Sequence, residues 1–234
     1  MKKIAVFTGA GISAESGIST YRDIKDGLWY NYKVEEVATT QGWRTDKAKV
    51  LEFHNMLRKK LHDKKPNLAH ELIASLEDDF DVTIITQNVD ELHEKAGSST
   101  VHHIHGELMK CKSSLDPSLV YDARGDINIG DKCLKGSQLR PYTVLFGEFP
   151  HFMEESIEAI RECDILIIVG TGFDIVYTAN MITAAQNKIY YVDPKPNRDI
   201  EYEPGLKGRV DYIEKTATIG VKEVFDNIYE NFQG

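Results

Sequence analysis

Cysteine is scarce in this chain, with three in 234 residues. That count excludes a disulfide-stapled scaffold and fits a reducing, cytoplasmic setting. Positive charge is also in deficit. The 28 basic residues stand against 37 acidic ones, a formal net charge of −9, which argues against a nucleic-acid-binding surface. The densest basic run, Arg58-Lys59-Lys60 with Lys64-Lys65, reads as a solvated helix face. No apolar run approaches the roughly 18 residues that a membrane span needs. An apolar strand begins at about Lys3, leaving no room for a leader peptide. No membrane and no nucleic-acid partner is expected.

What the chain does have is alternation. Four short runs, 4–8, 82–86, 165–170 and 189–193, are β-branched and apolar nearly throughout. That suits parallel strands covered on both faces. Helical spacing separates them at 47–62, 68–78 and 152–162, where Val50, Phe53, Leu57 and Leu61 recur on one side of the first. The order predicts an α/β fold, a Rossmann-like doubly wound parallel sheet. Two stretches interrupt it: an aromatic loop and helix near 20–66, and a polar, turn-rich segment near 107–140. Both read as insertions forming a smaller lobe. The expected division is a large lobe of about 1–20, 67–106 and 146–234, with a small lobe of about 21–66 and 107–145. A cleft between them is the expected ligand site.

Five motifs carry chemistry. Gly9-Ala10-Gly11-Ile12-Ser13-Ala14 follows the first strand and is either a phosphate-binding turn or a plain tight one. No strand with a terminal acid follows about 20 residues on, which weakens a hydride-transfer reading. Asp193 ends a later strand and suits either ribose hydroxyls or an Asp-Pro turn. Gln87, Asn88 and Asp90 sit just past the strand 82–86, at the sheet edge where open α/β folds bind ligands; an Asx-type cap is the alternative. His102, His103 and His105 suggest a metal. In an extended segment only His103 and His105 share a face, which is thin for zinc. His105, beside Gly106, reads better as a single general base near neutral pH, with His102 and His103 as surface polarity. The run 139–150 reads as an exposed strand ending in a glycine turn, an edge able to pair with a peptide. Gly170-Thr171-Gly172 follows another buried strand and is a second possible backbone approach to a nucleotide.

Taken in order, these motifs resemble the sirtuin family of NAD-dependent protein-lysine deacylases, and small bacterial members most. The residues that carry the resemblance are Gly9-Ala10-Gly11-Ile12-Ser13, Ser16-Gly17-Ile18, Tyr21-Arg22, Gln87-Asn88-Val89-Asp90, Leu92-His93, Ala96-Gly97, His105-Gly106, Phe146-Gly147-Glu148 and Gly170-Thr171. The resemblance runs from about residue 3 to about residue 230. The resemblance implies that NAD is consumed, that nicotinamide leaves and that the acyl group passes to ADP-ribose. It makes His105 the base at a ribose hydroxyl. Asn88 orients that ribose, Gln87 touches it, and Asp90 holds the nicotinamide carboxamide. Gly9, Ala10, Gly11, Tyr21, Arg22, Gly170, Thr171 and Asp193 belong to the cofactor site. Phe146, Gly147 and Glu148 belong to the strand that pairs with an acylated peptide, and a monomer is expected.

Four departures qualify the resemblance. The family's two Cys-x-x-Cys pairs read Cys111-Lys112-Ser113-Ser114 and Cys133-Leu134-Lys135-Gly136, so two of four thiolates are missing and no zinc is expected. The Tyr-x-x-Arg of members that remove acidic acyl groups is His54 and Leu57. Arg58 points about 100° around the helix, so succinyl- and malonyl-lysine should be poor substrates. Gly-Thr-Ser is Gly170-Thr171-Gly172, with a loop to Tyr177 one residue longer. The strand-end Asn is Asp193, whose charge favours NAD over NADP. Mono-ADP-ribosylation or NAD hydrolysis at the same site is the alternative activity. A binding module without turnover would have no need of Asn88, Asp90 and His105 together.

Overall fold

Strand β1 (Lys3–Thr8) shows why these runs fold as they do. Ile4 and Val6 enter one apolar cluster, Ala5 and Phe7 the opposite one, and all four are buried. A strand apolar at every position has no wet face, so it sits mid-sheet under helices on both sides. The other strands are β2 (Asp81–Thr86), β3 (Val101–His103), β4 (Gly106–Ser113), β5 (Val120–Asp122), β6 (Leu139–Thr143), β7 (Ile165–Val169), β8 (Lys188–Val192) and β9 (Val210–Ile213). The helices are α1 (Val34–Val37), α2 (Thr40–Thr45), α3 (Lys47–Leu61), α4 (Leu68–Ser75), α5 (Leu92–Ala96), α6 (Met153–Glu162), α7 (Val176–Ile182) and α8 (Ala217–Phe232). This computed structural model describes residues 1–19, 32–203 and 205–232. Tyr21 and Arg22 lie outside the described residues. No described helix is long and apolar enough to cross a membrane.

Among the described residues a six-stranded parallel sheet runs β3-β2-β1-β7-β8-β9. The four strands expected from the sequence are its four central ones. The two edges, β3 and β9, were not expected, because His102, His103 and Asp211 break the apolar signature that burial on both faces imposes. Helices α4 and α8 cover one face through Ile73, Val221, Val224 and Ile228. Helices α6 and α7 cover the other through Ile160, Met181 and Ile182.

A second, antiparallel sheet runs β5-β4-β6. Its own cluster joins Trp43, Val50, Leu51, Cys111, Ala123, Ile127 and Leu145. Helix α3 lies against it, its first turn capped by Asp46, which accepts from the Lys49 N–H at 3.0 Å. This corrects the reading of the basic run. Lys59 and Lys60 are exposed, but Arg58 is only 2% exposed. It falls four residues after His54 on the buried side of α3. Its Nε donates to the Leu108 carbonyl at 2.9 Å and its Nη1 to Asn55 Oδ1 at 2.6 Å.

The glycines after β1 answer a packing demand that the sequence did not show. Gly9 N donates to Val169 O and Gly11 N to Gly170 O, at 3.0 and 2.8 Å. The loops leaving β1 and β7 therefore touch backbone to backbone. A Cβ on Gly11 would lie 2.5 Å from Gly170 Cα. One on Gly170, whose φ is +65°, would lie 2.4 Å from Ile12 N. Loop-on-loop packing alone demands glycine here. Gly170→Ala combines a left-handed backbone with a clash and should cost about 2–4 kcal/mol. An unchanged urea unfolding midpoint would contradict this.

Candidate active site

The carboxyl ends of β1, β2, β7 and β8 meet along one edge of the parallel sheet, and the chain places polar residues there. Beyond β2, Gln87 donates its N–H to Thr8 O at 2.9 Å and its Nε2 to Thr171 Oγ1 at 2.8 Å, which ties β1, β2 and β7 together. Asn88 Nδ2 donates to Gly9 O at 3.1 Å and to Ser13 Oγ at 3.3 Å. Ser13, in the 3-10 turn Ala10–Ser16, passes its own proton to Asp90 Oδ2 at 3.1 Å. Asp90 Oδ1 accepts from Leu92 N at 3.1 Å. Burial pushes the Asp90 carboxyl up, against the two hydrogen bonds it accepts. Motifs nearly 80 positions apart in sequence thus form one cluster. Ser13 carried no expected role, although its place beside the glycine turn was a usable sign.

The histidines divide by the carbonyl each faces. His105 Nδ1 lies 2.9 Å from Gln87 O. A carbonyl only accepts, so Nδ1 carries the proton and Nε2 keeps its lone pair. That lone pair accepts from the Tyr177 hydroxyl. Burial lowers the His105 pKa, with the Gln87 carbonyl opposing and His151 reinforcing, so the ring is neutral near neutral pH. His103 is a correction, because it is buried rather than at the surface. Its Nδ1 donates to Asn88 O at 2.8 Å and its Nε2 to Glu94 Oε1 at 2.7 Å. Burial lowers its pKa, but the Glu94 carboxylate outweighs that and the net shift is upward. His102 is half-buried, its ring stacked on Phe152 at 5.2 Å. β3 pairs with β2, and there His103 is enclosed by Asn88 and Glu94 while His102 is half-covered by Phe152 and Ser156.

Asp193 is buried, and its Oδ1 accepts from Lys195 N at 2.7 Å, the geometry of an Asp-Pro turn. The run 139–150 also departs from expectation. β6 stops at Thr143, and Arg140, Pro141 and Thr143 are buried, although β6 does lie at an edge of its sheet. Phe146, 51% exposed, then forms an isolated parallel bridge with Thr39. Gly147 turns with φ +97°. The Glu148 carboxylate folds back onto Arg140 Nη1 at 2.6 Å and accepts from Leu145 N at 2.9 Å. Its side chain is structural, and the backbone is engaged as well: Phe146 N donates to Ala38 O at 2.9 Å, Phe146 O accepts from Thr40 N at 3.0 Å and Glu148 N donates to Leu145 O at 2.9 Å. His54 is 4% exposed. Its Nδ1 donates to Val50 O at 2.8 Å, and its Nε2 accepts from Thr143 Oγ1 at 3.1 Å. Burial pushes its pKa down to about 4, so it is neutral. Leu57 is half-buried.

The family's zinc positions do not make a ligand set here. Cys111 packs into the apolar cluster of the small sheet, where burial raises its thiol pKa. Cys133 Sγ lies 3.0 Å from Ser137 Oγ, which lies 2.6 Å from Ser113 Oγ. No group of three or more His, Cys, Asp or Glu among the described residues could hold a metal ion.

A profile of the Sir2 family matches residues 9–177. A Helicobacter pylori protein named NAD-dependent protein deacylase is 47% identical over 232 residues, 98% of this chain and 99% of that one. A Bacteroides thetaiotaomicron protein of the same name is 43% identical, covering 96% of this chain and 97% of its own. Among solved structures, a variant Sir2 homologue in complex with ADP-ribose aligns at a TM-score of 0.84 and 31% identity, over 98% of this chain and 93% of that one. A Sir2 homologue in complex with NAD aligns at 0.83 and 31%, over 98% and 90%. With this match in sequence and in fold, the chain belongs to the Sir2 family.

Proposed function

We propose that this chain is an NAD-dependent protein-lysine deacylase that releases nicotinamide and passes the acyl group to ADP-ribose. The observation that carries the reading is the fixed tautomer of His105. Its Nδ1–H is committed to Gln87 O, so Nε2 is the acceptor, one residue from the Asn88–Ser13–Asp90 cluster. A neutral, buried imidazole with its lone pair at the sheet edge suits proton abstraction from a ribose hydroxyl. NAD supplies the glycosidic bond that breaks. Gln87 and Asn88 orient the ribose, and Asp90 holds the carboxamide. Gly9, Ala10, Gly11, Tyr21, Arg22, Gly170, Thr171 and Asp193 complete the cofactor site. Phe146, Gly147 and Glu148 pair with the peptide backbone, and His54 and Leu57 line the acyl pocket.

The test incubates the protein with NAD and an acetyl-lysine peptide and follows nicotinamide, deacylated peptide and labelled protein. Peptide-dependent nicotinamide release with deacylation is expected. Label transfer to protein, or release without peptide, would favour ADP-ribosylation or NAD hydrolysis instead. His105→Tyr should lower deacylation by at least about 100-fold while the urea midpoint is retained; full activity would remove His105 from its role.

Acyl preference follows from charge. A buried carboxylate needs a paired cation. Leu57 offers none, and His54, its pKa near 4, is neutral. kcat/KM on a succinyl-lysine peptide should fall at least about tenfold below the acetyl-lysine value. Comparable values would refute a neutral pocket.

We also infer that the small lobe holds no zinc. Elemental analysis should find far less than one zinc per chain, and a chelator should leave the urea midpoint unchanged. One zinc per chain would refute this.

A further inference from the structure

Tyr177 belongs to none of the roles above, yet its hydroxyl sits on the atom those roles depend on. The phenol donates to His105 Nε2, with the two rings edge to face at 6.0 Å between centroids. The loop that delivers it is built, not slack. Phe173 takes a left-handed φ of +55°, a strained conformation for an aromatic residue. It is nonetheless buried, stacked on Phe7 at 5.8 Å and edge-on to Tyr191 at 5.7 Å. Tyr191 OH in turn donates to Thr171 O at 2.6 Å and accepts from Asn197 N at 3.0 Å. Packing therefore holds the segment 171–175 in a conformation its own backbone disfavours, and α7 starts where Tyr177 reaches His105.

We propose that Tyr177 is a gating and positioning residue whose hydroxyl occupies, before the cofactor binds, the His105 lone pair that a ribose hydroxyl must reach. The proposal rests on His105 being the base of the deacylation reading. One hydroxyl is exchanged for another. The Tyr177 O–H···Nε2 bond breaks, the ribose O–H···Nε2 bond forms, and the phenol turns to solvent. The exchange costs cofactor affinity whatever the phenol contact is worth. In return, the imidazole keeps its reactive tautomer and is satisfied while the site is empty. Burial pushes the Tyr177 phenol up to about 12, so it stays a donor throughout the working range. Among the described residues, the groups facing His105 are Tyr177, Gln87 and His151, and none is an acid that would replace the phenol.

The experiment compares wild type with Tyr177→Phe in two ways. Without any nucleotide, the Nε2 nitrogen resonance of His105 should shift when the hydroxyl is removed. In steady state, KM for NAD should fall roughly 2- to 10-fold, the value of one net hydrogen bond, with a smaller change in kcat. Tyr177→Leu, which also lacks the hydroxyl, should move KM the same way, so a folding defect in one variant does not decide the matter. An unmoved His105 resonance or an unchanged KM overturns the gate. A collapse of kcat at constant KM also overturns it and puts Tyr177 in the chemical step. If wild type releases no nicotinamide, the deacylase reading fails, while the resonance comparison still reports on the contact.

Discussion

The site depends on two consecutive backbone carbonyls, those of Gln87 and Asn88. Because a carbonyl can only accept, each fixes a proton on the imidazole that faces it. Gln87 O keeps the proton of neutral His105 on Nδ1 and leaves Nε2 as an acceptor, a role it plays to the Tyr177 hydroxyl. Asn88 O, with the Glu94 carboxylate on the other side, makes His103 a donor at both nitrogens. Two histidines two positions apart thus carry opposite protonation tendencies. The carbonyls are held by bonds from residues 87 and 88 to Thr8 O, Gly9 O and Thr86 Oγ1. The register of β2 on β1, and the glycine contact behind it, therefore set the tautomer of the base.

The same arrangement gives the fold a pH dependence of mixed sign. His103, its folded pKa raised, contributes stability below the unfolded imidazole value and loses it as pH climbs through the folded one. His54 and His70 are each held near a pKa of 4 by burial. Their contribution is complete above about 6.5 and is lost as pH falls from there towards 4. Acid below about 6.5 therefore loosens α3 and α4, whereas the stabilisation from His103 is already complete there.

A small lobe without zinc, as proposed above, would have to hold its shape by other means than a zinc knuckle. Ser137 stands between Ser113 and Cys133, and Ser113 Oγ also accepts from the backbone of Leu115 and Asp116. Each such bond is worth about 1 kcal/mol net, whereas structural zinc contributes on the order of 10. Hydroxyls alone cannot replace the metal. In a zinc-free lobe the balance would fall to the cluster around Trp43, Leu51 and Cys111, and to the buried Arg58–Asn55 network that bonds Leu108 and Ile127. The exposed Lys135–Asp116 pair adds little.

What the sequence made legible follows burial. Strands covered on both faces were readable because nothing polar survives there; the edges β3 and β9 were not, because a half-covered strand tolerates His and Asp. The place of Asn88 and Asp90 at the sheet edge was readable because they directly follow the apolar run that forms β2. The reason for Gly9 and Gly11 was not, since their partner Gly170 is some 160 positions away and only the fold brings it near. Arg58 and His103 were misjudged for a common cause: a buried charge looks like a surface charge until its partner is known. That bears on the acyl pocket. Arg58 Nη2 has no hydrogen-bond partner among the described residues, which makes it the buried candidate cation of α3 for an acidic acyl group. Swinging the guanidinium there would break its bonds to Leu108 O and Asn55 Oδ1, at about 1–3 kcal/mol for a buried bond lost, with Ile127 N as the remaining donor to Asn55 Oδ1. Arg140 is tied in the same way to Glu148. The cations nearest His54 are spent on holding the lobe together, and the acyl pocket proposed above, lined by a neutral imidazole and a leucine, would suit an uncharged acyl chain.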